Sequence, residues 1–248
     1  MTKPYYQRDG ITIYHGDCKE ILPSLSDIDA IITDPPYGID HDTKYKFTGG
    51  VVPGNTYKPI HGDKQPFEPN YFLNAYRKVL FWGANCYKLY MGTLLIWDKR
   101  IPGKPKNVMS DAEVAWLNTG HGVYIFNHTW EGFIRDSEQD KYLHPTQKPV
   151  ILMEWCIQKA NPKGVICDPY MGSGATLEAA RNLGFECMGI DIEKSYCEIA
   201  VERLRQSNLF TTVRTRQANN RLQRSEKGGG ENGLLFPSGS VAAALPAR

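Results

Sequence analysis

VICDPYMGSGATLEAARNLGFECMGID, Val165 to Asp191, holds the plainest architectural signal in the chain. Its ends, "VICD" and "ECMGID", are apolar runs of strand length, and "GATLEAARNLG" between them reads as a helix closed by Gly184. A strand, a helix and a strand in that order make one crossover unit of a parallel sheet. The corner after the first strand is rich in glycine. Gly172 and Gly174 let the backbone pass close to a ligand without Cβ clashes. A dinucleotide site would need a further glycine at Leu177 and a P-loop a Gly-Lys pair, so the corner suits a nucleoside without a pyrophosphate. Asp191, ending the second strand, stands where an acidic side chain accepts hydrogen bonds from ribose hydroxyls.

Outward from this unit the alternation continues. "GITIYHGD" (Gly10–Asp17) and "DAIITD" (Asp29–Asp34) read as strands around a short helix from Cys18 towards Leu25. "VLFWG" and "TLLIWD" are further strands, with a helical stretch through Tyr87 and Leu89 between them. "VILMEWCIQKA" is a helix opened by Pro149, and "EKSYCEIAVERL" is amphipathic, with Tyr196, Ile199, Ala200, Arg203 and Leu204 on one face. The expected fold is α/β, a doubly wound and mostly parallel sheet of Rossmann-like type with inserted recognition loops.

A second Asp-Pro-Tyr corner lies in "IITDPPYG", Ile31–Gly38. Pro35 and Pro36 each push the preceding residue out of helical geometry and offer no N–H, so the strand leaves the sheet as a stiff extended corner. The Asp34 carboxylate and the Pro35 carbonyl can converge as two acceptors, with the Tyr37 ring beyond them. Two acceptors and a flat ring match an exocyclic amine on a planar base.

With 248 residues and 41% hydrophobic composition, the chain suits one large catalytic domain, expected over 1–210, and a tail. No signal-peptide pattern or apolar run of membrane-span length is present, and six scattered cysteines form no Cys-x-x-Cys pair, which points to a reducing cytoplasm and no metal. The net charge of +2 identifies no partner, but residues 211–248 read as a disordered basic tail. Lys99, Arg100, Lys104 and Lys106 beside Trp97 form a basic cluster suited to tracking phosphate.

These motifs, in this order from about Ile11 to Leu204, resemble the amino-group DNA methyltransferases that use S-adenosylmethionine, in the permuted arrangement with the catalytic motif before the cofactor motif. The resemblance implies a catalytic role for Asp34, Pro35, Pro36 and Tyr37. It implies cofactor binding by Asp168, Gly172 and Gly174, by Thr146 and Lys148 in "HPTQKP", and by Asp17 in "YHGD". Asp at the head of the tetrapeptide favours adenine N6 over cytosine N4. Double-stranded DNA is the implied partner; a cognate restriction nuclease and a homodimer are further candidates, and no membrane is expected. The insert 39–66 is expected to be a mobile loop, and the stretch 99–142, given no place in the sheet, to be the target-recognition region. A protein glutamine methyltransferase, a dinucleotide oxidoreductase and a non-catalytic DNA-binding module are the rivals. An Asn-headed corner, a further glycine and indifference to S-adenosylmethionine would respectively mark them.

Overall fold

The structure, a computed structural model, describes residues 2–40, 61–89, 91–103, 110–131, 134–138 and 147–206. Most of the 39–66 insert, Lys104, Lys106, Thr146 and the tail from 207 onward lie outside the described residues. In chain order the elements are β1 (Tyr6–Arg8), β2 (Ile11–His15), α1 (Cys18–Ile21), β3 (Ile28–Thr33), α2 (Asn70–Ala75), β4 (Lys78–Trp82), β5 (Thr93–Asp98), β6 (Ala112–Leu117) and β7 (Val123–Asn127). Then come a small hairpin of β8 (Trp130–Glu131) and β9 (Ile134–Arg135), α3 (Val150–Ala160), β10 (Val165–Asp168), α4 (Ala175–Asn182), β11 (Cys187–Asp191) and a last helix, α5, over 194–206.

Among the described residues nine strands form one sheet in the order β1-β2-β11-β10-β3-β4-β6-β5-β7. The five from β2 to β4 are mutually parallel. Their apolar runs follow from burial on both faces. Along β3, Ala30 and Ile32 turn to a core built with Leu152, Met153 and Ile157 of α3, Leu177 of α4 and Leu204 of α5, while Ile31 turns to the opposite core with Ile21 of α1 and Phe72 of α2. On α5 the apolar line runs through Cys197, Ala200, Val201 and Leu204.

The chain leaves β10 through α4 towards β11 and leaves β3 through α2 towards β4, in opposite directions across the sheet. The β3/β10 boundary is therefore a switch point, where a crevice opens at the carboxyl ends of the strands. Cys167 pairs with Ile31, so both Asp-Pro-Tyr corners emerge side by side.

Two expectations need correction. The span through Tyr87 and Leu89 is no helix: Gly83 takes a left-handed conformation (φ 76°), a single 3-10 turn covers Ala84–Cys86, and Tyr87 is extended. The stretch 99–142 does have a place in the sheet, because β6 inserts antiparallel between β4 and β5, and β7 adds parallel to β5. Glu113 interrupts the apolar pattern of "AEVAWL" and hides the strand; its half-buried carboxylate meets Lys99, carried alongside by the β5/β6 register, and Lys148 from the segment ahead of α3.

Candidate active site

At the first corner the chain leaves β3 after Thr33, and the two prolines leave no N–H to satisfy. Asp34 instead gathers side chains. One carboxylate oxygen accepts the Tyr37 hydroxyl at 2.5 Å and the other accepts the Lys148 ammonium. Lys148 also lies 3.4 Å from the Tyr37 hydroxyl and 3.2 Å from Glu113, and the second Glu113 oxygen accepts Lys99 at 2.9 Å. Four charges thus alternate in sign from Asp34 through Lys148 and Glu113 to Lys99. Burial pushes the Asp34 carboxyl up, against the pull of Lys148 and Tyr37. Burial would also raise Glu113, but its two lysines bring it down to about 2.

The Tyr37 ring lies on Gly83. A Cβ at that glycine would sit 2.6 Å from Tyr37 Cδ1, and its positive φ also favours glycine. Tyr87 meets Tyr37 edge-on at 6.2 Å. Its hydroxyl is buried without a hydrogen-bond partner among the described residues.

The second corner is held mainly by backbone. Asp168 accepts the Thr33 hydroxyl at 2.5 Å and the Tyr170 N–H at 3.1 Å, so the end of β3 is tied directly to the end of β10. Gly172 (φ 48°) donates its N–H to Asp191 at 3.0 Å, and the other Asp191 oxygen accepts the Glu193 N–H at 2.8 Å. Gly174, at φ 79°, opens α4 so close to α5 that a Cβ would stand 2.8 Å from that of Ala200. Burial pushes Asp168 up to about 6 and Asp191 up to about 7. One pocket joins the corners, with Asp34 and Lys148 on one wall and Asp168, Gly172, Ser173 and Thr176 on the other.

Arg203 of α5 braces this pocket from behind. Fully buried, it pairs with Glu178 of α4 at 3.2 Å and Glu138 at 3.3 Å and reaches Ser173 at 3.5 Å. Glu138 also accepts the Gln147 side chain at 2.8 Å and the Val150 N–H at 2.7 Å. The segment carrying Lys148 and the glycine corner are therefore fastened to one guanidinium.

Comparison with known proteins finds relatives for this arrangement. A family model described as DNA methylase, of the N6/N4 methyltransferases, matches residues 98–202. Type II methyltransferase M2.DpnII of Streptococcus pneumoniae is 26% identical over 84% of this chain and 94% of its own length. Type II methyltransferase M.ScaI of Streptomyces caespitosus is 28% identical over 82% of this chain and 84% of its own. The chain is thus similar to the N6/N4 DNA methyltransferases, and these likenesses support an S-adenosylmethionine-dependent DNA methyltransferase. Among solved structures, PvuII DNA methyltransferase, titled cytosine-N4-specific, shares the fold at a TM-score of 0.51 and 15% identity, covering 81% of this chain and 88% of that one. The family match spans the glycine corner, and the Asp34 corner lies ahead of it in the chain.

The remaining residues expected from the sequence fall unevenly. Asp191 and Gly174 border the pocket's glycine loop, Asp191 through the Gly172 N–H and Gly174 at the start of α4. Asp17 caps α1 through the Lys19 N–H at 2.8 Å, while the neighbouring Gly16 N–H reaches the Asp191 carbonyl at 2.9 Å, which keeps Asp17 near the end of β11. Lys148 lines the pocket, but its ammonium rests on Asp34. The basic cluster offers less free charge than its composition suggests: Lys99 holds Glu113, and Arg100 is clamped by Asp98 at 2.6 and 2.9 Å. Glu113, Gly83, Tyr87 and Arg203 were not singled out as site residues from the sequence. Only Arg203 left a trace there, as the charged member of an apolar helix face.

Proposed function

We propose that the protein transfers the methyl group of S-adenosylmethionine to the N6 amine of an adenine flipped out of double-stranded DNA. The observation that carries this reading is the single pocket walled by both corners, because a donor on the glycine side and an amine on the Asp34 side would meet across it. The donor set suits the cofactor. The positive-φ glycines open the loop, and the Asp191 carboxylate beside it can accept ribose hydroxyls. Asp168 steadies the corner, Asp17 is near enough to β11 to face the adenine moiety, and Thr146 belongs to the segment leading to the methionine side. Bound there, S-adenosylmethionine supplies an electrophilic methyl group.

The chain's own residues then hold and deprotonate the amine. Asp34 and the Pro35 carbonyl accept its two N–H groups, which aligns the nitrogen lone pair for in-line attack, and alignment is worth several kcal/mol when reacting atoms are near contact. Asp34, pushed up by burial, takes the proton that the alkylated nitrogen sheds. Tyr37 stacks on the base in place of its lost neighbours, and Pro36 keeps the corner stiff. Asp at the head of the tetrapeptide supports adenine. The Type II names of the relatives support a place beside a cognate restriction nuclease.

Nucleoside mass spectrometry of DNA incubated with the protein and S-adenosylmethionine tests the reading. N6-methyladenine is expected. N4-methylcytosine alone would reverse the base assignment, and no methylated nucleoside on varied DNA would remove the activity.

A further inference from the structure

We propose that Glu113 is a positioning residue for the transfer, a second carboxylate that takes up Lys148 when the target amine claims Asp34. In the structure both Asp34 oxygens are engaged, one by the Tyr37 hydroxyl and one by Lys148. An incoming amine must displace at least one of them. The Lys148 side chain is only 7% exposed, so leaving Asp34 for water is closed to it, and an unpaired ammonium at that depth is strongly unfavourable. Glu113 removes the obstacle. One of its oxygens already stands 3.2 Å from Lys148, and its other is fixed from the outside by Lys99. The ammonium can therefore pass from one carboxylate to the other without losing its ion pair.

The shift also changes what Asp34 can do. As the nitrogen–methyl bond forms and the methyl–sulfur bond breaks with its electrons left on sulfur, the amine nitrogen turns cationic and releases a proton. A carboxylate still bonded to an ammonium accepts that proton poorly, and one whose ammonium has moved to Glu113 accepts it readily. The groups facing Asp34 are Tyr37 on its own corner, Tyr87 beyond β4, Glu113 of β6, Asp168 of β10 and Lys148 ahead of α3; Cys156 of α3 faces Lys148, and Lys99, just after β5, faces Glu113. Of these, only Glu113 can relieve Asp34 of the lysine, since Asp168 is already taken by Thr33 and Tyr170.

The inference rests on the transfer proposed above and is tested by readouts that separate the two. In full-length protein labelled with 13C-carboxyl aspartate, with Asp34→Asn to assign the signal, Asp34 is expected to titrate lower in Glu113→Gln than in wild type, and higher in Lys148→Met. Single-turnover methyl transfer at neutral pH should fall by about tenfold or more in Glu113→Gln, with the acid limb of its pH profile moved to lower pH. S-adenosylmethionine affinity should stay within about twofold, because Glu113 lies off the pocket wall. An unchanged Asp34 titration and pH profile in Glu113→Gln would overturn the inference, as would a loss of cofactor affinity equal to the loss of rate. Wild-type protein that methylates no DNA would overturn the transfer instead, while the titration would still decide whether Glu113 governs Asp34. Should Glu113→Gln fail to fold, Glu113→Asp withdraws the charge by one methylene and should move the titration the same way by less.

Discussion

The two Asp-Pro-Tyr corners share their first residues and their place at neighbouring strand ends, yet they are secured by opposite means. Around Asp34 the partners are side chains, a phenol and an ammonium, with prolines in place of backbone donors. Around Asp168 and Asp191 the partners are three backbone N–H groups and the hydroxyls of Thr33 and Thr176, with glycines at the turn itself. A corner held by side chains can exchange partners by rotamer changes alone, as a substrate that comes and goes requires. A corner held largely by backbone keeps one shape, as a cofactor that always binds alike would require. The contrast assigns change to the first corner and constancy to the second.

The largest expected effect would break this contrast most directly. Asp34→Ala should lower methyl transfer by about 10²- to 10⁴-fold, the usual range for a lost proton acceptor, and leave S-adenosylmethionine affinity nearly intact. Quench-flow transfer and calorimetric binding on one preparation would check it, and equal losses in both would merge the two corners into one.

Gly83→Ala comes next. The new methyl enters the Tyr37 ring, and the positive φ adds backbone strain, so Tyr37 and Asp34 are displaced together. A fall in transfer of about 10- to 100-fold is expected, since small misplacements near reacting atoms are costly. Cofactor affinity measured alongside should not move.

Asp191→Asn addresses the constant corner and should weaken the cofactor by about tenfold, the lower value for one hydrogen bond to a charged group. Its pH dependence has a definite sign. Because the folded carboxyl is raised to about 7 against about 3.9 in the unfolded chain, folding takes up a proton between these values. The stability from that proton is full below the unfolded value and is lost as pH rises through about 7. The wild-type melting temperature should therefore decline from pH 5 to 8 more than that of Asp191→Asn, while wild-type cofactor affinity should improve over the same range as the carboxylate ionises.

The smallest effect is expected at Arg100. With its guanidinium on Asp98, Arg100→Ala should change DNA affinity by less than about twofold, and the salt slope should not change. A slope shallower by about one would identify Arg100 as a phosphate contact after all.

How much of this was legible in advance follows from the range of each signal. Strand, glycine turn and helix in Val165–Asp191 are local, and they appear in the structure within a residue or two of their expected limits. The stiffness of Asp34–Tyr37 is local too, since proline acts on its immediate neighbours. Glu113 and Lys99 could not be read that way. A glutamate at the head of a strand and a lysine after another look like two surface charges until the β5/β6 register sets Trp97 opposite Glu113 and carries Lys99 alongside. Gly83 was hidden for a related reason. It reads as the end of "VLFWG", and its need for a missing side chain arises from a tyrosine brought onto it by the neighbouring strand.

Arg203 has a further consequence during synthesis. Its carboxylate partners Glu138 and Glu178 precede it by 65 and 25 residues, so a chain growing from the ribosome makes both acids, the lysine segment and the glycine corner before the arginine that fastens them together. Until α5 has emerged, both carboxylates lack the cation that lets them be buried, and the pocket has no back wall. The nascent protein therefore cannot complete the pocket between the two corners until its last described helix is made.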